Sequence, residues 1–323
     1  MNVSAPPGAS PANAAVPPPR AGRKRLLLIK GVITLALLVF LTDKLDTADL
    51  LARLKEAAPV FLFIAIVIVT LEVPLAAYRW MLLAQRTGAP MTFALALQLS
   101  FAGLFFGQVL PASIGGDVVR GVLAYRNGVD WQPLISSLVL DRIIALLAAV
   151  VLILAALPWL VGGTLGALMW TAGASALLVG VLIAGLFVDL LPLPRRLKDS
   201  KLGGAVLGLI ALARRSLASG AGAGALTISI LIHLMTIGAV VALGASLGLG
   251  HILLPSMLVV PTALIAAAVP VSLNGWGVRE GVMVAGFALF GIAEADAFLV
   301  SVLLGFSVVL SALPGGFTWL TLK

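Results

Sequence analysis

"PASIGGDVVRG", Pro111 to Gly121, closes a mainly apolar run that begins at Met91. A proline removes a backbone donor, a pair of glycines frees the backbone, and Asp117 and Arg120 place opposite charges three residues apart on one helix face. In a soluble domain this would be a surface turn. Here the surroundings forbid that. The chain is 61% hydrophobic and only 11% charged over 323 residues, with a mean hydropathy of +1.16. Ordinary soluble domains carry roughly 25% charged residues. Apolar stretches recur from Leu26 to the C-terminus, several of them near the ~20 residues that cross a bilayer. They lack the alternation of a β-barrel strand. The chain reads as an all-α polytopic membrane protein, and the break falls inside the membrane.

Composition narrows the chemistry. The net charge of +8 reads as basic residues that flank membrane spans and orient them, so no nucleic-acid partner is expected. The absence of cysteine excludes disulfides, thiolate metal sites and cysteine nucleophiles. The two histidines, His233 and His251, lie in different segments, and no metal or cofactor is expected. Residues 1–22 are rich in Ala, Pro and Gly and read as a disordered cytoplasmic tail. Residues 23–323 read as a single transmembrane domain. Trp80, Trp131, Trp159, Trp170 and Trp319 read as interface anchors, with Trp276 the exception.

The charges order the spans. "RAGRKR", Arg20 to Arg25, precedes a first span at Leu26–Leu41 and holds the N-terminus in the cytoplasm. Residues Thr42–Ala58 carry mixed charge and an apolar stripe, and predict a helix in the outer interface. A second span from Pro59 to about Leu83 returns to the cytoplasm near Arg79 and Arg86. The basic cluster Arg195, Arg196, Lys198, Lys201, Arg214 and Arg215 is cytoplasmic, and two spans precede it, Pro133–Leu157 and Leu165–Val188. The chain is therefore cytoplasmic both at Arg86 and near Arg126. One full crossing between them would break the charge rule. A re-entrant hairpin broken at "PASIGGD" satisfies it. A further span covers Ala223–Leu247, and a last one Ala297–Leu313 brings the C-terminus to the cytoplasm. Three basic residues fall outside (Lys44, Arg53, Lys55) and two within the membrane (Arg142, Arg279).

The break recurs. Set against Pro111, the stretch from Pro270 reads P-V-S-L-N-G-W-G-V-R, and Pro, Ser, Gly, Val and Arg coincide at an offset of 159 residues. The charges put the two copies on opposite membrane faces, the mark of an inverted repeat whose site lies at the repeat interface. About six full transmembrane helices and two re-entrant hairpins result. Broken backbone at membrane depth is tolerated only where protein or water satisfies it. A half-helix starting near Ser113 or Asn274, both good N-cap residues, would aim a positive dipole end inward and favour an anion such as phosphate. Arg120 and Arg279 would add planar contacts, and Gly115, Gly116, Gly275 and Gly277 would let a head group approach. Glu72, Asp141, Arg142 and Glu280 are further charges at depth, where charge marks a pathway or a site. Arg142 has two candidate partners, Glu72 and Asp117. Loss of transport with folding intact is the expectation for Arg279→Ala.

"LPASIGGDVVRGVLAYR" and "VPVSLNGWGVREG", with "AAYRWMLLA" before them and "LVLDRIIALLAAVVL" between, resemble the lysylphosphatidylglycerol synthase transmembrane region, also called the flippase-like domain or UPF0104 family. The resemblance covers roughly Leu26 to Leu320. It implies handling or translocation of polar lipids in the bacterial inner membrane. It carries the family's glycine-arginine motif onto Gly115, Gly116, Asp117 and Arg120, its later motif onto Gly275, Gly277, Arg279 and Glu280, and its acidic-arginine pair onto Asp141 and Arg142. Ala112 stands where many relatives have Gly or Arg. No synthase domain follows Lys323, so aminoacyl transfer is not expected and a separate lipid-synthesising enzyme would supply the substrate. The residues leave two other readings open: an intramembrane lipid-modifying enzyme using Asp117 and Asp141, and a non-transporting regulator of a lipid-synthesis partner. The lipid and the oligomeric state are not fixed by the sequence.

Overall fold

A computed structural model describes residues 47–109, 115–160, 188–190, 200–269 and 271–322, with a few isolated positions besides. Among the described residues the only regular structure is helical. That follows from the composition, because an apolar segment in hydrocarbon must satisfy its backbone internally. Four helices are long and apolar enough to cross a membrane: α2 (Pro59–Thr87), α5 (Trp131–Leu160), α7 (Gly220–Ser246) and α10 (Glu294–Ala312) continued by α11 (Pro314–Thr321). The chain is thus a multi-pass membrane protein. Shorter helices are α1 (Thr47–Glu56), α3 (Phe93–Val109), α4 (Gly115–Arg126), α6 (Lys201–Leu217), α8 (Leu253–Ala268) and α9 (Val278–Ala288). The spans expected at Leu26–Leu41 and Leu165–Val188 lie almost wholly outside the described residues, as do Pro111–Ile114 and Pro270.

Local signals set several ends. Gly88 closes α2 in the left-handed conformation (φ 87°), its N–H on the Ala84 carbonyl. Ser200 and Ser219 cap α6 and α7 by accepting from the amides of Gly203 and Gly222. Pro314 starts α11 in its first turn, where a proline costs no helix bond.

The same succession of elements occurs twice. Adding 159 to 59–87 gives 218–246, the place of α7. The same shift carries 93–109 to 252–268, where α8 lies, and 131–160 to 290–319, which α10 and α11 occupy. Packing repeats with it. α2 and α7 lie together at the centre, α3 packs on α4 as α8 packs on α9, and α3 meets α11 as α8 meets α5. Each short pair has its own apolar core. Trp80, Leu99, Leu123 and Leu134 cluster around α3 and α4, while Val259, Met283, Phe287 and Leu304 cluster around α8 and α9.

Two expectations are corrected here. Trp80 is no interface anchor: it is fully buried, and its indole N–H donates to Ser137 Oγ at 3.1 Å. Arg79 does not mark a solvated end of α2. The helix runs on to Thr87, and Arg79 is buried.

Candidate functional site

α3 and α4 approach so closely that glycine is obligatory between them. A Cβ on Gly116 would strike the Gly103 carbonyl oxygen, and one on Gly103 would meet the Arg120 side chain at 2.5 Å. Gly116 of the first motif therefore sets helix separation together with Gly103 of α3, as small residues do between membrane helices. This contact fixes where Asp117 and Arg120, one and four residues beyond Gly116, project.

They project into a chain of alternating charges. Arg79 Nε donates to Asp141 Oδ1 at 2.8 Å and its Nη1 to Ser229 at 3.0 Å. Arg120 Nη2 donates to Asp117 Oδ1 at 2.7 Å and reaches Asp141 Oδ2 at 3.4 Å. Arg142 Nε donates to Asp117 Oδ2 at 2.6 Å. Of its two candidate partners, Arg142 thus takes Asp117 and not Glu72. The Arg120 guanidinium also lies 4.5 Å from the centre of the Trp80 ring, a stacked cation–π arrangement that suits arginine. Three arginines against two aspartates leave one positive charge over. Arg79 and Trp80 are members that the sequence did not single out for the site. Their signal was an arginine and a tryptophan adjoining within an apolar helix, which a span's cytoplasmic end explains equally well.

This network forms one wall of a cavity of about 280 Å³. Glu72, Ser100, Gln108 and Asn274 also line it, with Gly116, Asp117, Arg120 and Arg142. The two breaks meet there. Asn274 Nδ2, from the second, donates to Gln108 Oε1, at the end of α3, at 2.9 Å. Two buried polar atoms of lining residues, Ser100 Oγ and Arg120 Nε, have no hydrogen-bond partner among the described residues. Such atoms are costly when left unmade and suit a polar occupant. Glu72 accepts from Thr236 Oγ1 at 2.9 Å. A second, mainly apolar groove of about 530 Å³ runs between α4 and α5, past Val118, Ile135, Leu138 and Leu146. Asp117 and Arg142 line both spaces.

The second break is built differently. Asn274, Gly275 and Gly277 all have positive φ (47°, 80° and 84°), which glycine adopts freely and asparagine tolerates. A Cβ at Gly275 would lie 2.6 Å from the Ala267 Cβ. α9 starts at Val278, so Asn274 is not its cap. Instead Glu280 reaches back and accepts from the Gly277 N–H at 2.5 Å, the acidic half of a capping box. The other Glu280 oxygen accepts from both Arg279 Nε and Nη2 and from Ser301 Oγ at 3.3 Å. Arg279 stacks 4.8 Å from the Trp276 ring centre, over the bare Gly305. Glu280 is fully buried and Arg279 nearly so, and neither lines the cavity.

The structure thus brings Gly116, Asp117, Arg120, Arg142, Glu72 and Asn274 to one space, with Asp141 directly behind. It places Arg279, Glu280 and Gly277 in a separate closed cluster. Gly115 begins α4 and is buried, and Ser113 lies outside the described residues. Among the described residues no group of three or more His, Asp or Glu side chains is placed to hold a metal.

One comparison with known proteins bears on this. The family model described as the lysylphosphatidylglycerol synthase TM region matches residues 27–315. No curated protein matches the chain.

Proposed function

The chain belongs to the lysylphosphatidylglycerol synthase transmembrane-region family, and on that premise we propose that it carries a polar, phosphate-bearing lipid between the leaflets of the bacterial inner membrane. The observation that carries this reading is the division of space at Asp117 and Arg142. On one side lies a cavity into which Glu72, Gln108, Asp117, Arg120, Arg142 and Asn274 bring polar and charged groups, and on the other an almost wholly apolar groove. A phospholipid has the same two parts. Its head group suits buried Arg120, exposed Arg142 and the Ser100 hydroxyl, which has no partner among the described residues, and its acyl chains suit the groove. No nucleophile–base set is required, since translocation breaks no covalent bond.

The layout we propose has six full spans, two re-entrant hairpins and an inverted repeat, with both termini cytoplasmic. The paired elements at an offset of 159 support it. An even number of crossings between α2 and α7 makes them antiparallel and inverts the second set, and α5 together with the expected span at Leu165–Val188 supplies two. The cysteine-free chain suits a direct test. Single cysteines replacing the exposed Pro90 and Asp130 are expected to react with an impermeant thiol reagent from the cytoplasm. Cysteines replacing the exposed His251 and Leu289 are expected to react from outside. Reaction of Pro90→Cys and Asp130→Cys from opposite faces removes the hairpin.

The functional test is leaflet transfer of a fluorescent phosphatidylglycerol in liposomes holding the purified protein. Transfer of the unchanged lipid supports the proposal. Chemical conversion of the lipid turns the reading to an enzyme. Neither result turns it to a regulator of a separate lipid-synthesising enzyme.

A further inference from the structure

Among the described residues four carboxylates lie deep among the apolar helices, and three of them, Asp117, Asp141 and Glu280, are held by arginines. Glu72 is the exception. It sits midway along α2, on the cavity wall, and its described partner is the hydroxyl of Thr236 on α7 at 2.9 Å. Among the described residues, the elements packed on α2 bring no cation to it. α3 and α7 carry no charged residue, and the titratable group of α7, His233, bonds the Ala145 carbonyl through Nε2 at 2.9 Å. On α5, Asp141 and Arg142 are engaged with Arg79, Arg120 and Asp117. On α10, Asp296 pairs with Arg53 at 2.7 Å, and Glu294 lies beside it at the helix start. On α6, Lys201, Arg214 and Arg215 lie at the two ends of the helix. Across the cavity, Asp117 and Arg120 of α4 are bonded to each other.

Thr236 shows how such a carboxyl is accommodated. Its Oγ1 lies 2.9 Å from Glu72 Oε1 and 3.1 Å from the carbonyl oxygen of Ile232, one turn earlier. A hydroxyl has one hydrogen to donate and lone pairs to accept with. With Glu72 ionised, that hydrogen points to the carboxylate. With Glu72 neutral, the carboxyl O–H donates to Thr236, whose own hydrogen turns to the Ile232 carbonyl. Both forms keep the bond between Glu72 Oε1 and Thr236 Oγ1 in the same heavy-atom positions. An arginine-paired carboxylate has no such second state, since protonation would strand a buried cation.

We propose that Glu72 is a proton-binding site of the cavity, its carboxyl alternating between an ionised form that accepts from Thr236 and a neutral form that donates to it. Hydronium in the cavity gives up one proton: its O–H bond breaks to leave water, an O–H bond forms at Glu72 Oε1, and the Thr236 hydrogen rotates to the Ile232 carbonyl. Nothing is oxidised or reduced. Loading of the cavity changes with that charge. This last consequence rests on the lipid reading, and the proton site itself does not.

Infrared difference spectra of the purified protein, titrated with acid in detergent, test the site without any transport. A carboxylic C=O band that grows on acidification and is missing in Glu72→Gln is expected. No such band, or one that persists in that variant, overturns the proposal. Thr236→Val keeps side-chain volume and is expected to move the band's frequency and midpoint, and an unmoved band overturns the relay. Should Glu72→Gln fail to fold, Glu72→Asp replaces it, with a displaced band expected and an unchanged one overturning the assignment. In liposomes, an imposed pH difference is expected to change the wild-type transfer rate and leave that of Glu72→Gln unaltered. Equal responses overturn the coupling. Wild-type protein that moves no lipid, but shows the band, overturns the lipid reading and leaves the proton site standing.

Discussion

The two breaks share proline, serine, glycine, valine and arginine in register, yet their arginines live in different electrostatic company. Arg279 has a single carboxylate beside it in sequence, bonded through two guanidinium nitrogens, stacked on Trp276 and closed off from the cavity. Arg120 has two carboxylates, each of which also holds another arginine, and it lines the cavity. One motif yields a self-sufficient pin in the second half and an open, positively biased network in the first. The difference begins one residue past the arginine. Glu280 follows Arg279, whereas Gly121 follows Arg120, so Arg120 finds its partners one turn back at Asp117 and on another helix at Asp141. A repeat of sequence therefore does not make a repeat of role.

Removing the arginine from each break separates the two roles. Arg279→Ala strands Glu280, fully buried, with only Ser301 and the Gly277 N–H as partners. An uncompensated buried charge of this kind costs about 3–5 kcal/mol. Thermal unfolding in detergent is expected to show that loss, with transfer falling only as folded protein falls. Arg120→Ala leaves Asp141 on Arg79 and Asp117 on Arg142, so its stability cost is expected near the ordinary 0.5–3 kcal/mol for a point change, about half that of Arg279→Ala. Its transfer rate per folded molecule is expected to drop by about tenfold or more, because a charge-assisted hydrogen bond to a head group is worth about 1.5–3 kcal/mol. Equal unfolding shifts in the two variants, or equal transfer, would break the comparison.

Much of this site was legible because ionisable residues inside apolar runs stand out. Glu72, Asp117, Asp141 and Arg142 were visible for that reason, and the matched prolines and arginines exposed the repeat. The partition of roles was not legible. Arg279 looked like a head-group ligand from its motif alone, and only the packing of α9 on α10 shows Ser301, Gly305 and Trp276 closing around it. Arg79 and Trp80 were hidden by a local ambiguity. Near the end of a span, the same pair serves as charge marker and interface anchor. What buries them is non-local: α3, α4 and α5 fold over this part of α2. Asn274 looked like a cap because asparagine often is one. Glu280, three residues after Gly277, was the capping signal to read instead, and α11 was announced by the Pro-Gly-Gly at residues 314–316.

Asn274 gives the finest test of the comparison, since it belongs to the second break by sequence and to the first break's cavity by position. Two properties can be pulled apart there. Its positive φ of 47° costs an alanine about 1–2 kcal/mol and a glycine almost nothing. Its bond to Gln108 is lost in either variant, for about 1 kcal/mol. Asn274→Gly is therefore expected to unfold within about 1 kcal/mol of wild type, and Asn274→Ala a further 1–2 kcal/mol below it. If the amide only ties the two breaks together, both variants transfer lipid at the wild-type rate per folded molecule. If it touches the head group, both slow by the same factor despite their different stabilities. Unequal slowing that tracks stability would assign Asn274 to the scaffold and leave the cavity's chemistry to the first break alone.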